Sequence, residues 1–411
     1  MIDIFKLLGV LALIVFLLQR KWNLGLVLIL ASLLLGVLFS HPLLTLAQDM
    51  FVAATSWLTL RLVLIVVLIL TLGEILRQTA QLDGMVHAID ALVPDTRVVF
   101  ALVPALIGLL PMVGGAMFSA PMVNHIGDRV EADAARKTYV NYWFRHIWEY
   151  IFPLYPSFLL GAALMGLSTQ RAASLMWPLT LSSVVAGTLF GLTSLSRGQQ
   201  AGTRDDTRTN LSKLVQNVWP IALVLLLTFT LGGLSERAHD LGLDLIASLL
   251  FTLTLLALIN RTGPRQIWDI LLRRIRWNTV AVILGAMVFQ HVLETTEAVR
   301  AASLTLTGLH IPIPIAIFAV PFIAGLLSGL GAAAFAIGFP IIMPLVGGGA
   351  IDPGLAVWAW AGGFLGVMLS PVHLCLALTR DYFGAEWGRV YRLLVPSVAT
   401  VTVVAGAILI L

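Results

Sequence analysis

Apolar residues fall in long blocks along this chain. Blocks of about 18 residues or more recur from end to end, the length a helix needs to cross the hydrocarbon core of a bilayer. The pattern predicts ten spans, at approximately 3–19, 22–40, 58–76, 139–166, 174–195, 215–234, 242–260, 277–294, 354–378 and 390–411. Two further apolar stretches, 97–123 and 311–346, are interrupted by Pro and Gly near their centres. Each is read as a hairpin that enters the membrane and returns to the same side. The expected fold is an all-α polytopic membrane protein with about ten transmembrane helices plus two re-entrant helical hairpins.

Composition agrees. Of 411 residues, 59% are hydrophobic and 11% charged, more apolar surface than a soluble domain can hide. The longest polar loop, Arg197 to Lys213, is too short to bury a core of its own. Leu7 to Leu18 has the length of a signal-peptide core, but Gln19-Arg20-Lys21 follows in place of a small-x-small cleavage site, so it is read as a first span. The net charge of +4 comes from Lys and Arg in short loops, which points to membrane topology and not to nucleic acid. With both termini outside the cytoplasmic (inner) membrane, 19 of the 25 Lys and Arg residues fall inside and three outside. The one cysteine, Cys375, lies in an apolar run and is expected to be a buried, inert thiol.

The two interrupted stretches resemble each other. Pro104-x3-Gly108-Leu109-Leu110-x3-Gly114 reads against Pro321-x3-Gly325-Leu326-Leu327-x3-Gly331. The same offset pairs 22–40 with 242–260 and 58–76 with 277–294, and the charge bias gives paired spans opposite directions. The chain is therefore expected to hold a first repeat over 1–195, a cytoplasmic linker over 196–214 and a second, inverted repeat over 215–411. Such repeats recur in transporters, with the ligand near the midplane.

Backbone inside a bilayer must satisfy its own hydrogen bonds, so a break is tolerable only against protein or a water-filled cavity. Each first arm has about 13 residues and reaches roughly 20 Å, past the middle of a ~30 Å core but not across it. At the first tip Gly114 and Gly115 let a ligand approach backbone N–H groups at a helix start, and Ser119 adds a hydroxyl one turn on. At the second tip Ser328, Gly329 and Gly331 offer the same. The spans after each hairpin are also interrupted, at Pro153-Leu-Tyr155-Pro156 and at Ser370-Pro371-Val-His373.

Arg145, His146 and Glu149 form the most informative polar cluster, with Arg145 and Glu149 four apart on one helix face. Intramembrane charges are costly and are paired or functional. One reading is a structural ion pair. The other has Arg145 or His146 contacting an anionic substrate while Glu149 relays protons. Ser370 and His373 join the candidate substrate site, although a histidine on an apolar face also serves as a satisfied core residue. Ser328 with His373 leaves open an intramembrane serine hydrolase, and the overall pattern leaves open a passive channel or a lipid-handling protein. There is no His-Glu-x-x-His, no cysteine cluster and no phosphate-binding loop, so neither zinc chemistry nor ATP drive is expected. The preferred function is secondary transport coupled to H+ or Na+, without enzymatic activity, cofactor or bound metal. The expected partners are a small anionic metabolite and membrane lipids.

Leu110-Pro111-Met-Val-Gly114-Gly115-Ala-Met-Phe-Ser119-Ala-Pro121 resembles the first signature of a prokaryotic membrane family known as domain of unknown function 401. Ala336-Ile-Gly338-Phe-Pro340-Ile-Ile-Met-Pro344 and Ser370-Pro371-Val-His373-Leu-Cys375-Leu-Ala-Leu-Thr379-Arg380 are similar to its later signatures. That family is grouped with the ion-transporter superfamily, alongside divalent-anion/sodium symporters, gluconate and citrate permeases and the large TRAP subunits. The resemblance covers most of the chain. It implies a bacterial or archaeal protein with a scaffold and a mobile transport domain, a homodimer working as an elevator.

Overall fold

The computed structural model of the chain describes residues 2–79, 81–109, 115–198, 207–234, 241–296, 298, 312–346 and 351–411. Every regular element among them is helical. The first half holds α1 (Ile2–Gln19), α2 (Leu24–Leu38), α3 (Leu43–Thr55), α4 (Trp57–Gln78), α5 (Gln81–Leu92), α6 (Thr96–Ile107), α7 (Gly115–Arg129), α8 (Ala134–His146), α9 (Pro156–Leu164) and α10 (Thr169–Gly187). The second holds α11 (Thr207–Leu234), α12 (Leu243–Ile259), α13 (Pro264–Asp269), α14 (Trp277–Thr295), α15 (Ile313–Ser328), α16 (Gly331–Ile342), α17 (Pro353–Leu369), α18 (Leu374–Phe383) and α19 (Trp387–Ile410). Among the described residues, six segments are long and apolar enough to cross a membrane: Trp57–Gln78, Thr169–Leu192, Thr209–Leu234, Trp277–Thr295, Pro353–Phe383 and Trp387–Ile410. Helices α2 and α12, at 15 and 17 residues, are shorter than the spans expected there.

Local signals set the helix ends. Asn23, Ser56, Asp95, Asp133, Ser168 and Asp352 each accept a first-turn N–H, which satisfies a donor that the helix leaves orphaned. Helices α2 and α12 end alike, with Ser40 and Arg261 in the left-handed region, and Pro42 and Pro264 lead into the next helix. Three details differ from the sequence reading. The expected loop after α2 contains α3, the stretch between the expected 58–76 span and the first hairpin contains α5, and the second part of the expected 196–214 linker is the start of α11.

Packing sorts the elements into two groups. Helices α1–α4 pack with one another and with α12 and α14, and α11 lies against α12 and α5. Where α2 crosses α14, Gly25 and Gly285 bring the two backbones together, because a Cβ on either would strike main-chain atoms of the other helix. The second group contains α6–α10 and α15–α19.

Within this second group α6 and α7 form one hairpin, and α15 and α16 another. A Cβ on Gly127 would lie 3.0 Å from the Phe100 ring, and one on Gly338 would lie 2.7 Å from Pro321 Cα, so the arms of each hairpin run antiparallel. Each second arm also runs antiparallel to the helix that follows it. In the first half Ser119 meets Asn141 and Asn124 meets Lys137. In the second half Phe335 lies under Gly363 and Phe339 packs on Trp360. The α8–α9 chain and α17 are in turn antiparallel, since Tyr142 meets Met368, Tyr150 meets Phe364 and Phe158 meets Trp360. The two second arms therefore run in opposite directions, and both begin where the interrupted helices cross.

Candidate functional site

Both expected interruptions are present. Helix α8 stops at His146 and the chain runs through turns until Pro156 opens α9. Prolines at 153 and 156 supply no N–H, and the residue before a proline is held extended, as Tyr155 is at φ −87°, ψ 123°. Helix α17 stops at Leu369, and Ser370 to His373 form a tight turn, closed by the His373 N–H on the Ser370 carbonyl at 3.2 Å, that leads into α18.

Side chains of the interruptions close the ends of the hairpin arms. Trp148 Nε1 donates to the Ala105 carbonyl at 2.8 Å, and the Tyr155 hydroxyl donates to that of Gly108. Ser370 Oγ donates at 2.7 Å to the Leu326 carbonyl in the last turn of α15. Tyr142 Oη donates at 3.2 Å to the Met368 carbonyl. The carbonyls orphaned at these helix ends are thus met by protein, as burial requires.

Two glycines mark where the second arms begin, and their neighbours differ in charge. A Cβ on Gly115 would collide with the guanidinium of Arg145, which is 2% exposed. A Cβ on Gly331 would lie 3.3 Å from Ser157 Cβ and 3.8 Å from Glu149 Oε2. One helix start is thus joined by a cation and the other by a carboxylate. Helix starts carry partial positive charge. The Gly115 end, with Arg145, is an anion-attracting corner, whereas the Gly331 end is countered by Glu149.

His146 and His373 fill the space between the interruptions. Their rings are 4.9 Å apart at 88°, and Tyr142 packs on both, at 4.7 and 5.2 Å. His146 Nδ1 donates to the Tyr142 carbonyl at 2.6 Å, and its Nε2 lies 3.8 Å from Glu149 Oε1. The link that carries His373 is seated on the second hairpin. Gly329, at φ +64°, lies so close to it that a Cβ would be 2.7 Å from the His373 nitrogen.

The remaining expected residues separate. Gly114 lies outside the described residues. Ser119 is buried, and its hydroxyl is engaged with Asn141 Oδ1 at 2.5 Å; Asn141 Nδ2 donates to Ala116 O at 2.9 Å and Thr379 Oγ1 at 3.2 Å. Ser119 thus belongs to a polar joint between α7, α8 and α18 and is not a free hydroxyl at the tip. Ser328 Oγ donates to the Ala324 carbonyl at 2.6 Å, within its own arm, and the Leu330 N–H reaches back to it at 3.4 Å.

Several residues at the crossing were not named as site residues from the sequence: Asn141, Tyr142, Tyr155, Ser157, Cys375 and Thr379. A signal existed for some of them. Asn141, Arg145 and Glu149 recur at intervals of four in an otherwise apolar region, and Tyr142 and His146 repeat the interval one residue on. Cys375 was expected to be an inert thiol; it is buried, with Sγ beside both histidine rings.

No curated protein matches the chain. A family model described as "Protein of unknown function (DUF401)" spans residues 4–411, nearly the whole sequence, and the chain therefore belongs to that family.

Proposed function

We propose that the chain is a secondary transporter of the ion-transporter superfamily, moving a small anionic organic metabolite across the cytoplasmic membrane with a proton or sodium gradient. One observation carries this reading: the two second arms begin at one crossing of two interrupted helices, and one of the starts faces the buried Arg145 guanidinium. Inward-facing helix starts at discontinuous helices are how membrane transporters hold anions near the midplane. In this reading the hairpins are re-entrant from opposite faces and the halves form an inverted repeat. Both termini lie outside. The α1–α4 and α11–α14 elements are the scaffold of a homodimer, and the group carrying the hairpins moves as an elevator.

Arg145 and the Gly115 end bind the anion, with His146 and His373 lining the site. Glu149, beside Arg145 and the Gly331 end, carries the coupling proton. No catalytic step is required of any residue. The Ser328 hydroxyl is turned to its own helix, which favours this reading over a serine hydrolase.

A thermal-shift screen of organic anions at several sodium concentrations and pH values identifies a ligand. Counterflow in proteoliposomes then tests the carrier, because a pore gives no exchange stimulation. Arg145→Ala is expected to abolish counterflow in protein that still elutes as a single folded species. Arg145→Lys keeps the charge but loses the planar fork and should give a weakened carrier. Undiminished exchange in both variants would reject the assignment.

A further inference from the structure

We infer that His146, His373 and Cys375 form a binding site for a zinc ion, with the fourth position open to water or an anion. The inference goes beyond the transport reading and does not depend on it. No zinc motif exists in the sequence, because the ligands come from both halves of the chain and meet only at the crossing.

The geometry carries the argument. One ring nitrogen from each histidine and the Cys375 sulfur lie within 4.8 Å of one another, and all three residues are buried. Tetrahedral zinc with ligand bonds of about 2.0–2.3 Å needs its ligand atoms about 3.3–3.8 Å apart. Side-chain rotation of about an ångström therefore closes the set, and two of the ligands, His373 and Cys375, lie at the non-helical link 370–373 or just after it.

Two further observations point to a ligand. The Nδ1 of His373 is buried and has no hydrogen-bond partner among the described residues, a costly state that a metal bond would relieve. The residue is 7% exposed, so bulk water does not satisfy it. His146 is already oriented as a ligand. Its Nδ1–H is committed to the Tyr142 carbonyl at 2.6 Å, which leaves the lone pair on Nε2, the nitrogen that lies 3.8 Å from Glu149 Oε1. That arrangement, one nitrogen tied to a backbone carbonyl and the other on the metal, is the usual support of zinc-bound histidine.

On binding, Cys375 releases its thiol proton to solvent as the sulfur–zinc bond forms. The thiolate offsets one of the two charges of Zn2+, and an anion in the fourth position would offset the other, while the Glu149 carboxylate remains the counter-charge of Arg145. The mixed nitrogen and sulfur set suits zinc over magnesium or calcium, which take oxygen ligands.

Cys375 is the only cysteine in the chain, so any thiolate–metal signal reports this site alone. The test uses full-length protein purified in detergent without a polyhistidine tag, stripped with chelator and reloaded with Zn2+ or Co2+. About one zinc per chain is expected by elemental analysis. The cobalt form should show a thiolate-to-metal charge-transfer band and the intense visible bands of tetrahedral cobalt. Cys375→Ser should remove the charge-transfer band, and His373→Gln should weaken zinc binding by roughly 100-fold or more, beyond what loss of an outer-shell partner costs. The wild-type protein alone decides the matter if a variant fails to fold. Absence of stoichiometric metal, or bound cobalt without a thiolate band, overturns the site, as does unchanged zinc affinity in folded His373→Gln.

Discussion

Gly329 is held for two separable reasons, and a matched pair of substitutions measures each. It closes α15 at φ +64°, and a Cβ there would lie 2.7 Å from the His373 nitrogen and 2.9 Å from its Cα. Gly384 closes α18 in the same conformation, at φ +63°, but a Cβ there would meet nothing within 4 Å. Gly384→Ala therefore carries the left-handed strain alone, about 1–2 kcal/mol. Both variants regain about 0.4–1 kcal/mol from the stiffer unfolded chain, which cancels in the comparison. Gly329→Ala adds a collision with main-chain atoms that have no flexible end to give way. Overpacking of that kind costs about 1–3 kcal/mol. The difference between the two variants should therefore be about 1–3 kcal/mol, with Gly329→Ala the less stable. Equilibrium unfolding in mixed micelles, followed by tryptophan fluorescence, gives both values under one condition. Equal destabilisation of the two variants would refute the seating of the second hairpin on the 370–373 link.

Two further substitutions test the joints around the crossing. Asn141→Ala removes the partner of Ser119, the Ala116 carbonyl and Thr379 together, and should cost about 1–3 kcal/mol in the same unfolding assay through buried groups left unmade. Ser370→Ala strips the Leu326 carbonyl of its hydroxyl donor and should cost about 0.5–1.5 kcal/mol, with the first loss of hydrogen-exchange protection in the last turn of α15.

Much of the local architecture was legible in the sequence because it is written in residues with a single physical meaning. Pro153 and Pro156 interrupt the first crossing helix where expected, and Ser370-Pro371 interrupts the second. Gly329 and Gly331 mark the turn of the second hairpin. Proline alone misleads elsewhere, because Pro104, Pro121, Pro178, Pro220 and Pro396 all lie inside continuous helices. Helices α3 and α5 were missed because 13 and 12 residues with interspersed polar groups fall below the span signal. The site was less legible than the fold. Arg145 and Glu149 declare themselves as charges in an apolar region, but Asn141 and Thr379, 238 positions apart, do not. The fate of Ser119 followed from that pairing, and so did the company of Cys375. Contacts that join the two halves leave no local pattern.

The joint between Asn141 and Thr379 sets a timetable for the growing chain. The amide emerges from the ribosome 238 residues before the hydroxyl it will bond. At about 5–20 residues per second, roughly 10–50 s of synthesis separate the two. For most of that interval Arg145 and Asn141 have been made while Met368, His373 and Thr379 have not. The first half must wait in a provisional state, held by water or by the insertion machinery, and Asn141 and Tyr142 reach Thr379 and the Met368 carbonyl only when α17 and α18 arrive.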